Sequence, residues 1–260
     1  MHTSDPCWPR KFDLFGVSVS STQYDEALAT IIQAARERRS TIVDHMPVHG
    51  LIEASRDPDL RQMVNQFDIV APDGQPVRWA LNHFHKAQLS DRVYGPELML
   101  RLCRQASFEG IGVYLLGSTE IVLHQLRTNL LKRFPPLRIT GFESPPFRPL
   151  TLQEDQALVD RVNKSGAGLI FLGLGCPKQE IFAYDHRKRI HGVQLCVGAA
   201  FDFIAGYKPM APGWMQKHGL EWLFRLCSEP QRLWKRYVIT NTIFLRKVAQ
   251  AMLFEGKISS

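Results

Sequence analysis

The stretch from Leu169 to Glu180, LIFLGLGCPKQE, constrains the fold of this chain more than any other. Four apolar residues run unbroken into two closely spaced glycines. A short apolar run bounded by glycine is the pattern of a parallel strand covered on both faces. Parallel strands need long crossover connections, so the run implies helices layered on a sheet. Gly173 and Gly175 allow a tight turn. Pro177 suits the first helical position because it lacks an N–H that would be unpaired there, and Lys178, Gln179 and Glu180 fall in the first turn. Such a helix start aims bare N–H groups and a positive dipole end above the sheet, where an anion such as a diphosphate is a natural guest. An ordinary strand-to-helix turn explains the same letters.

The rest of the chain repeats the alternation. A first strand is expected over Phe12 to Val19, then a helix to about Arg38 opened by a capping box of Thr22 with Asp25. A strand at Thr41 to Asp44 is followed by a short helix in HMPVHGLIEAS. In DPDL, Asp57 and Asp59 have the Asp-x-Asp spacing that can hold a divalent metal, but Asp as N-cap and Pro58 at the first helical position read as a helix start. Strand Phe67 to Ala71 delivers Pro72, Asp73 and Gly74 to its carboxyl end, where α/β sheets bind ligands, before a helix from Gln75 to about His85. As an alternative, Asp-Gly is a common turn pair. A loop through Asp91 to Pro96 leads into the helix Glu97 to Phe108, stopped by Gly110. Strand Gly112 to Leu116 ends in Gly117, Ser118 and Thr119 and feeds a helix Glu120 to Arg133. A strand near Arg138 to Gly141, a helix from Thr151 with Glu154 completing a capping box, a helix Gln179 to Arg189 and a strand Gln194 to Val197 complete the order. His45, His49, His83 and His85 match no compact metal-ligand spacing.

Of the net charge of +7 over 260 residues, +6 lies beyond Gly206, where nine Lys and Arg face three Glu. The same tail carries Trp214, Trp222, Trp234 and many other apolar residues, as expected of helices on an anionic membrane surface. Basic and aromatic residues together also suit nucleic acid, and an amphipathic stripe can simply pack on its own domain. The composition shift places a boundary there, giving an α/β body over 1–206 and a basic helical appendage over 207–260. Five scattered cysteines without a CxxC pair argue against a disulfide framework or zinc site and fit a reducing cytoplasm. Cys176, beside the glycine turn, reads as a small buried side chain. The N-terminal MHTSDPCWPRKF has no signal-type apolar core, and no run is long enough to span a bilayer.

Six stretches, APDG at 71–74, DRVYGPEL at 91–98, YLLGS at 114–118, GLGCPKQE at 173–180, VGAAFDFIAG at 197–206 and GLEWLFRLCSEPQRLWKRY at 219–237, together resemble the WecG/TagA/CpsF glycosyltransferases, family 26. The resemblance implies a Rossmann-like, mostly parallel sheet flanked by helices with a basic amphipathic C-terminal appendage. It also implies inverting transfer of a sugar from a UDP-sugar donor to a polyprenyl-diphosphate-linked sugar, without a cofactor or required metal. The protein would lie in the cytoplasm, peripheral on the inner face of the cell membrane. Nucleic acid is not an expected partner, and a homo-oligomer stays open. By resemblance, the proposed general base falls on Asp73, the loop arginine on Arg92, the PKQE glutamine on Gln179, the FD aspartate on Asp202, and the appendage's basic residues on Arg225, Arg232 and Arg236. Gly74, Gly117, Gly173, Gly175 and Lys178 complete the expected donor and substrate contacts.

The residue types agree with such chemistry. A strand-end carboxylate can take a proton from an attacking hydroxyl at neutral pH, and arginines match phosphate oxygens bidentately. Departures bear on the sugar. His45 and Pro47 stand where the family often has Thr-x-Asn, Met210 replaces an arginine, and Ser144 to Phe147 replace a Gly-Tyr-Phe, so glucose or glucuronic acid competes with N-acetylmannosamine as the transferred group. Two alternatives remain at this level. A nucleotide-binding oxidoreductase would explain Gly-x-Gly, but it lacks the third glycine and the acidic residue ending the next strand. A non-enzymatic module binding membrane or nucleic acid would explain the tail and leave PDG, PKQE and FD without a purpose.

Overall fold

The computed structural model describes residues 8–258, with side chains through 253. Cys7, with the rest of the first seven residues, and the Lys257 side chain lie outside the described residues. The chain begins with β1 (Lys11–Leu14) and β2 (Val17–Ser20), an antiparallel hairpin. The single strand expected over Phe12 to Val19 is therefore two. Phe15 and Gly16 take φ of 60° and 90° and reverse the chain between them. The hairpin is followed by α1 (Tyr24–Arg36), whose expected capping box does not form. Gln23 is the N-cap, and the Thr22 hydroxyl donates to Glu26 at 2.9 Å.

In order come β3 (Thr41–Met46), α2 (Val48–Arg56), α3 (Pro58–Asn65), β4 (Ile69–Pro72), α4 (Gln75–His85), α5 (Gly95–Glu109), β5 (Gly112–Gly117), α6 (Glu120–Arg133) and β6 (Arg138–Glu143). There follow α7 (Leu152–Lys164), β7 (Leu169–Gly173), α8 (Lys178–Asp185), β8 (Val193–Cys196) and α9 (Ala200–Ile204). The chain then runs through α10 (Gly213–Lys217), α11 (Glu221–Ser228) and α12 (Pro230–Ile258). Asp57 caps α3, its carboxylate accepting from the N–H groups of Asp59 and Leu60. The Thr151–Glu154 capping box closes reciprocally at α7. Gly110 stops α5 in the left-handed region.

Strands β3 to β8 form one parallel sheet in the order β4-β3-β8-β7-β5-β6. The apolar run of β7 is interior to it, paired on both edges and buried on both faces. Leu169 and Phe171 enter a core shared with α1, α5 and α6, whereas Ile170 and Leu172 enter a second core with α2, α3 and α8. Each such side chain, fully withdrawn from water, contributes about 1.5–3 kcal/mol. The carboxyl ends of these strands are tightly fitted. A Cβ on Gly117 would lie 2.7 Å from the backbone carbon of Gly173, at a φ of +118°, so β5 and β7 can end side by side only with glycine there.

The helices beyond Gly206 do not stand apart from this body. Helix α12 packs on α2, and Phe244 is buried in the second core with its ring 5.9 Å from that of Phe15. Leu233 is buried as well.

Candidate active site

The carboxyl ends of β3, β4, β7 and β8 open into a cavity of about 1110 Å³, walled on its other side by α11 and α12. Asp73 follows β4 directly. Its own N–H donates to the Met46 carbonyl at 3.1 Å, which fixes the turn, and Gly74 at φ 136° supplies a backbone that a side chain would not tolerate. The Asp73 carboxylate accepts from the Gly95 N–H at 3.4 Å and lies 4.0 Å from the Arg92 guanidinium. Burial lifts its pKa to about 6. Arg92 pulls it down, and the nearby carboxylate of Glu221 pushes it up again.

Arg92 is only 7% exposed and is held from three directions. It faces Asp73, donates to Glu221 Oε2 at 2.6 Å, and stacks 4.3 Å from the Tyr94 ring centroid. Glu221 is itself 7% exposed and belongs to α11. A buried guanidinium therefore joins a carboxylate of the body to one of the tail.

The glycine turn differs from its sequence expectation. Pro177 is the N-cap of α8 and does not occupy the first helical position. The amides expected to face an anion are already engaged. Gln179 N–H donates to the Gly175 carbonyl at 3.0 Å, and the Glu180 N–H is taken by its own buried carboxylate. Glu180 is raised above the ordinary carboxylate range by burial, and Asp44 is raised well above it by burial and by the neighbouring Glu180. Lys178 is exposed and does not line the cavity. Gly173 and Gly175 do line it, Gly117 does not, and its neighbour Ser118 does.

Gln179 lies inside the cavity wall. Its amide nitrogen donates to Glu180 at 3.0 Å, which leaves its carbonyl oxygen without a partner. His45 is similar. Burial lowers its pKa to about 4, so the ring is neutral, and Nδ1 meets the Cys196 carbonyl at 3.1 Å, which fixes Nε2 as an unpaired acceptor. Asp202 lines the cavity and is tied to Lys208 at 2.9 Å, and Lys208 in turn reaches Glu229 at 3.5 Å. Arg232 is paired with Glu229. Arg225 and Arg236 also line the cavity and make no ion pair among the described residues, although Arg225 lies 5.2 Å from the Phe203 ring centroid.

The cavity thus brings together Asp73, Gly74, Arg92, Gly173, Gly175, Gln179, Asp202, Arg225, Arg232 and Arg236, and leaves out Gly117 and Lys178. Sequence reasoning missed Glu221, Lys208, Asp44 and Glu180. Glu221 and Glu180 lay within stretches already singled out, but nothing local to them signals a partner so distant in the chain.

A family model, Glycosyl transferase WecG/TagA/CpsF family, matches residues 12–257. The chain belongs to that family. Its members are glycosyltransferases of polysaccharide biosynthesis, family 26, so the oxidoreductase and non-enzymatic alternatives fall away. The match extends through α11 and most of α12, so the tail is part of what defines the family in this chain.

The electrostatics of Asp73 are directly measurable. Its carboxyl ¹³C shift should titrate near pH 6 in the folded protein. In Glu221→Gln the midpoint should fall, because a carboxylate that raises it is gone and Arg92 is freed, and in Arg92→Gln it should rise. Equal midpoints in all three proteins would show that the buried triad does not set this group.

Proposed function

We propose that this chain is an inverting glycosyltransferase that moves a sugar from a UDP-sugar to a saccharide carried on a polyprenyl diphosphate, in the building of surface or exported polysaccharide. The observation that carries this reading is that one cavity holds both a half-buried strand-end carboxylate, Asp73, and three arginines of the tail.

Asp73 is the base. With a pKa of about 6 it is mostly ionised at neutral pH and more basic than an exposed aspartate, which suits proton abstraction from an alcohol. The acceptor hydroxyl loses its proton to Asp73 as its oxygen bonds to the anomeric carbon. The bond from that carbon to the UDP oxygen breaks on the opposite face, so the configuration inverts. Charge then grows on the departing diphosphate. Arg225 and Arg236, free of carboxylate partners among the described residues, are placed to receive it, and Arg232 joins them by exchanging Glu229 for phosphate. In this reading the arginines supply the positive potential and no metal is required. Residues 1–206 carry the donor and the base, and 207–260 complete the site.

The tail also supports association with the inner face of the cell membrane. Along α12 the exposed Trp234, Val238, Leu245 and Met252 recur at spacings of four and seven residues, the repeat of one helical face. Basic residues flank them at Lys235, Arg246 and Lys247. Among the described residues no helix is long and apolar enough to cross a membrane.

Two experiments test these statements. In an assay containing EDTA, wild-type transfer from the UDP-sugar donor should persist, while Asp73→Asn should lose about 10²-fold to 10⁴-fold in kcat and still bind UDP. Near-normal turnover by the folded variant would remove Asp73 from the chemistry. Co-sedimentation with vesicles containing phosphatidylglycerol should weaken as salt rises and weaken further in Arg246→Ser/Lys247→Ser, because each basic residue near an anionic surface contributes about 1 kcal/mol. Equal binding to neutral and anionic vesicles would argue against the membrane assignment.

A further inference from the structure

The chemistry described above leaves two buried polar atoms of the cavity wall unused, His45 Nε2 at the end of β3 and Gln179 Oε1 in the first turn of α8. Neither has a hydrogen-bond partner among the described residues, and neither side chain is more than 6% exposed. Both are fixed as acceptors. His45 uses its Nδ1 proton on the Cys196 carbonyl, and Gln179 turns its amide nitrogen to Glu180. The carboxyls of Asp44 and Glu180 lie against one another in the same wall and add acceptor oxygens to it. Asp73 is close by. A Cβ built on Gly95 would lie 3.5 Å from the His45 ring and 3.6 Å from Asp73 Oδ2, so His45 and the base flank one glycine. The charge of Asp73 also acts on Asp44. This acceptor-lined recess therefore opens beside the carboxylate that takes the proton.

We propose that the recess receives the hydroxyls of the transferred sugar, and that its wall of acceptors selects a neutral hexose over a uronic acid or an N-acetylated sugar. The inference rests on reading the cavity as a sugar-transfer site and names the class of sugar that site takes. Hydrogen-bond polarity decides it. A hexose presents O–H groups around its ring, and each can donate to a fixed acceptor. A carboxylate at C6 brings no donor and sets its lone pairs against those of His45 and Gln179, which then stay buried and unpaired. An acetamido group puts a carbonyl and a methyl where a hydroxyl would donate. Uracil suits the recess no better, because its one N–H lies between two carbonyl oxygens. Among the described residues no three His, Cys, Asp or Glu side chains are grouped to hold a metal ion. Burial holds Asp44 and Glu180 above the ordinary carboxylate range, which weakens the pull of this wall on a cationic sugar. The wall belongs to the α/β body, the part that carries the donor in this reading.

The test is calorimetric binding of UDP-sugars to the full chain in the absence of any acceptor, with UDP as the reference ligand. UDP-glucose or UDP-galactose should bind about tenfold or more tighter than UDP-glucuronic acid and UDP-N-acetylglucosamine. Two variants each remove one acceptor. His45→Asn keeps an N–H for the Cys196 carbonyl and has no atom in place of Nε2, and Gln179→Met keeps the length of the side chain without its polar end. Each should narrow the preference to about threefold or less. UDP affinity should not change, which shows that the variant is folded. Equal binding of these UDP-sugars by the wild-type protein, as an acceptor sugar in the recess would give, would overturn the assignment. Preference for UDP-glucuronic acid, tighter binding of UDP-glucosamine than of UDP-glucose, or a hexose preference that both variants retain would overturn it as well. Failure of the wild-type protein to bind UDP at all would strike the sugar-transfer reading on which it rests.

Discussion

The site depends on one buried cation. Arg92 stands between Asp73 of the body and Glu221 of α11, and its guanidinium is stacked on Tyr94. Withdrawing these charges from water is costly, and the arrangement holds only while the partners remain together; breaking a buried pair by removing one member typically costs about 3–5 kcal/mol. That cost links two regions 129 residues apart along the chain. The triad adjusts the basicity that burial gives Asp73, and its Arg92–Glu221 pair ties α11 to the strand ends. The same contact therefore tunes the base and closes the cavity, so whatever loosens the tail also changes the proton affinity of the carboxylate beneath it.

The sheet supplies the rigid side of this arrangement and the tail the adjustable side. Strands β3, β4, β7 and β8 end together because their cores on both faces are full and because glycine at 117 lets β5 approach β7. The groups they present are fixed by short local bonds, such as the Asp73 N–H to Met46 and the Gln179 amide to Glu180. The tail is attached differently. Its contacts are the ion pairs of Glu221 with Arg92 and of Lys208 with Asp202, together with the apolar seam at Leu233 and Phe244. Ion pairs of this kind can exchange a carboxylate for a phosphate at little net loss, which is what a roof that must bind and release a diphosphate requires.

Much of this was legible in the chain, and the limits have physical causes. Helices α4 and α6 begin and end where their periodicity and caps place them, and Asp57 and Thr151 cap helices through contacts within four residues. Such signals are local and survive in sequence. Helix α1 starts one residue later than the box requires, with Gln23 as its N-cap and the Thr22 hydroxyl donating to Glu26, and Phe15 gives no hint in sequence of its positive φ. The glycines and proline at the start of α8 suit an open anion cradle; only the folded chain brings Glu180 and Asp44 together beneath it. The Arg92 to Glu221 pair is a matter of tertiary placement, and no spacing announces it.

The most direct test of the account is a crystal structure of the protein with UDP bound. The account requires the diphosphate to lie in the cavity beside Asp73, with its oxygens bonded by Arg225 and Arg236 and with Glu221 still holding Arg92. A diphosphate seated on the first turn of α8 with the tail arginines turned away, or a nucleotide bound outside this cavity, would contradict it.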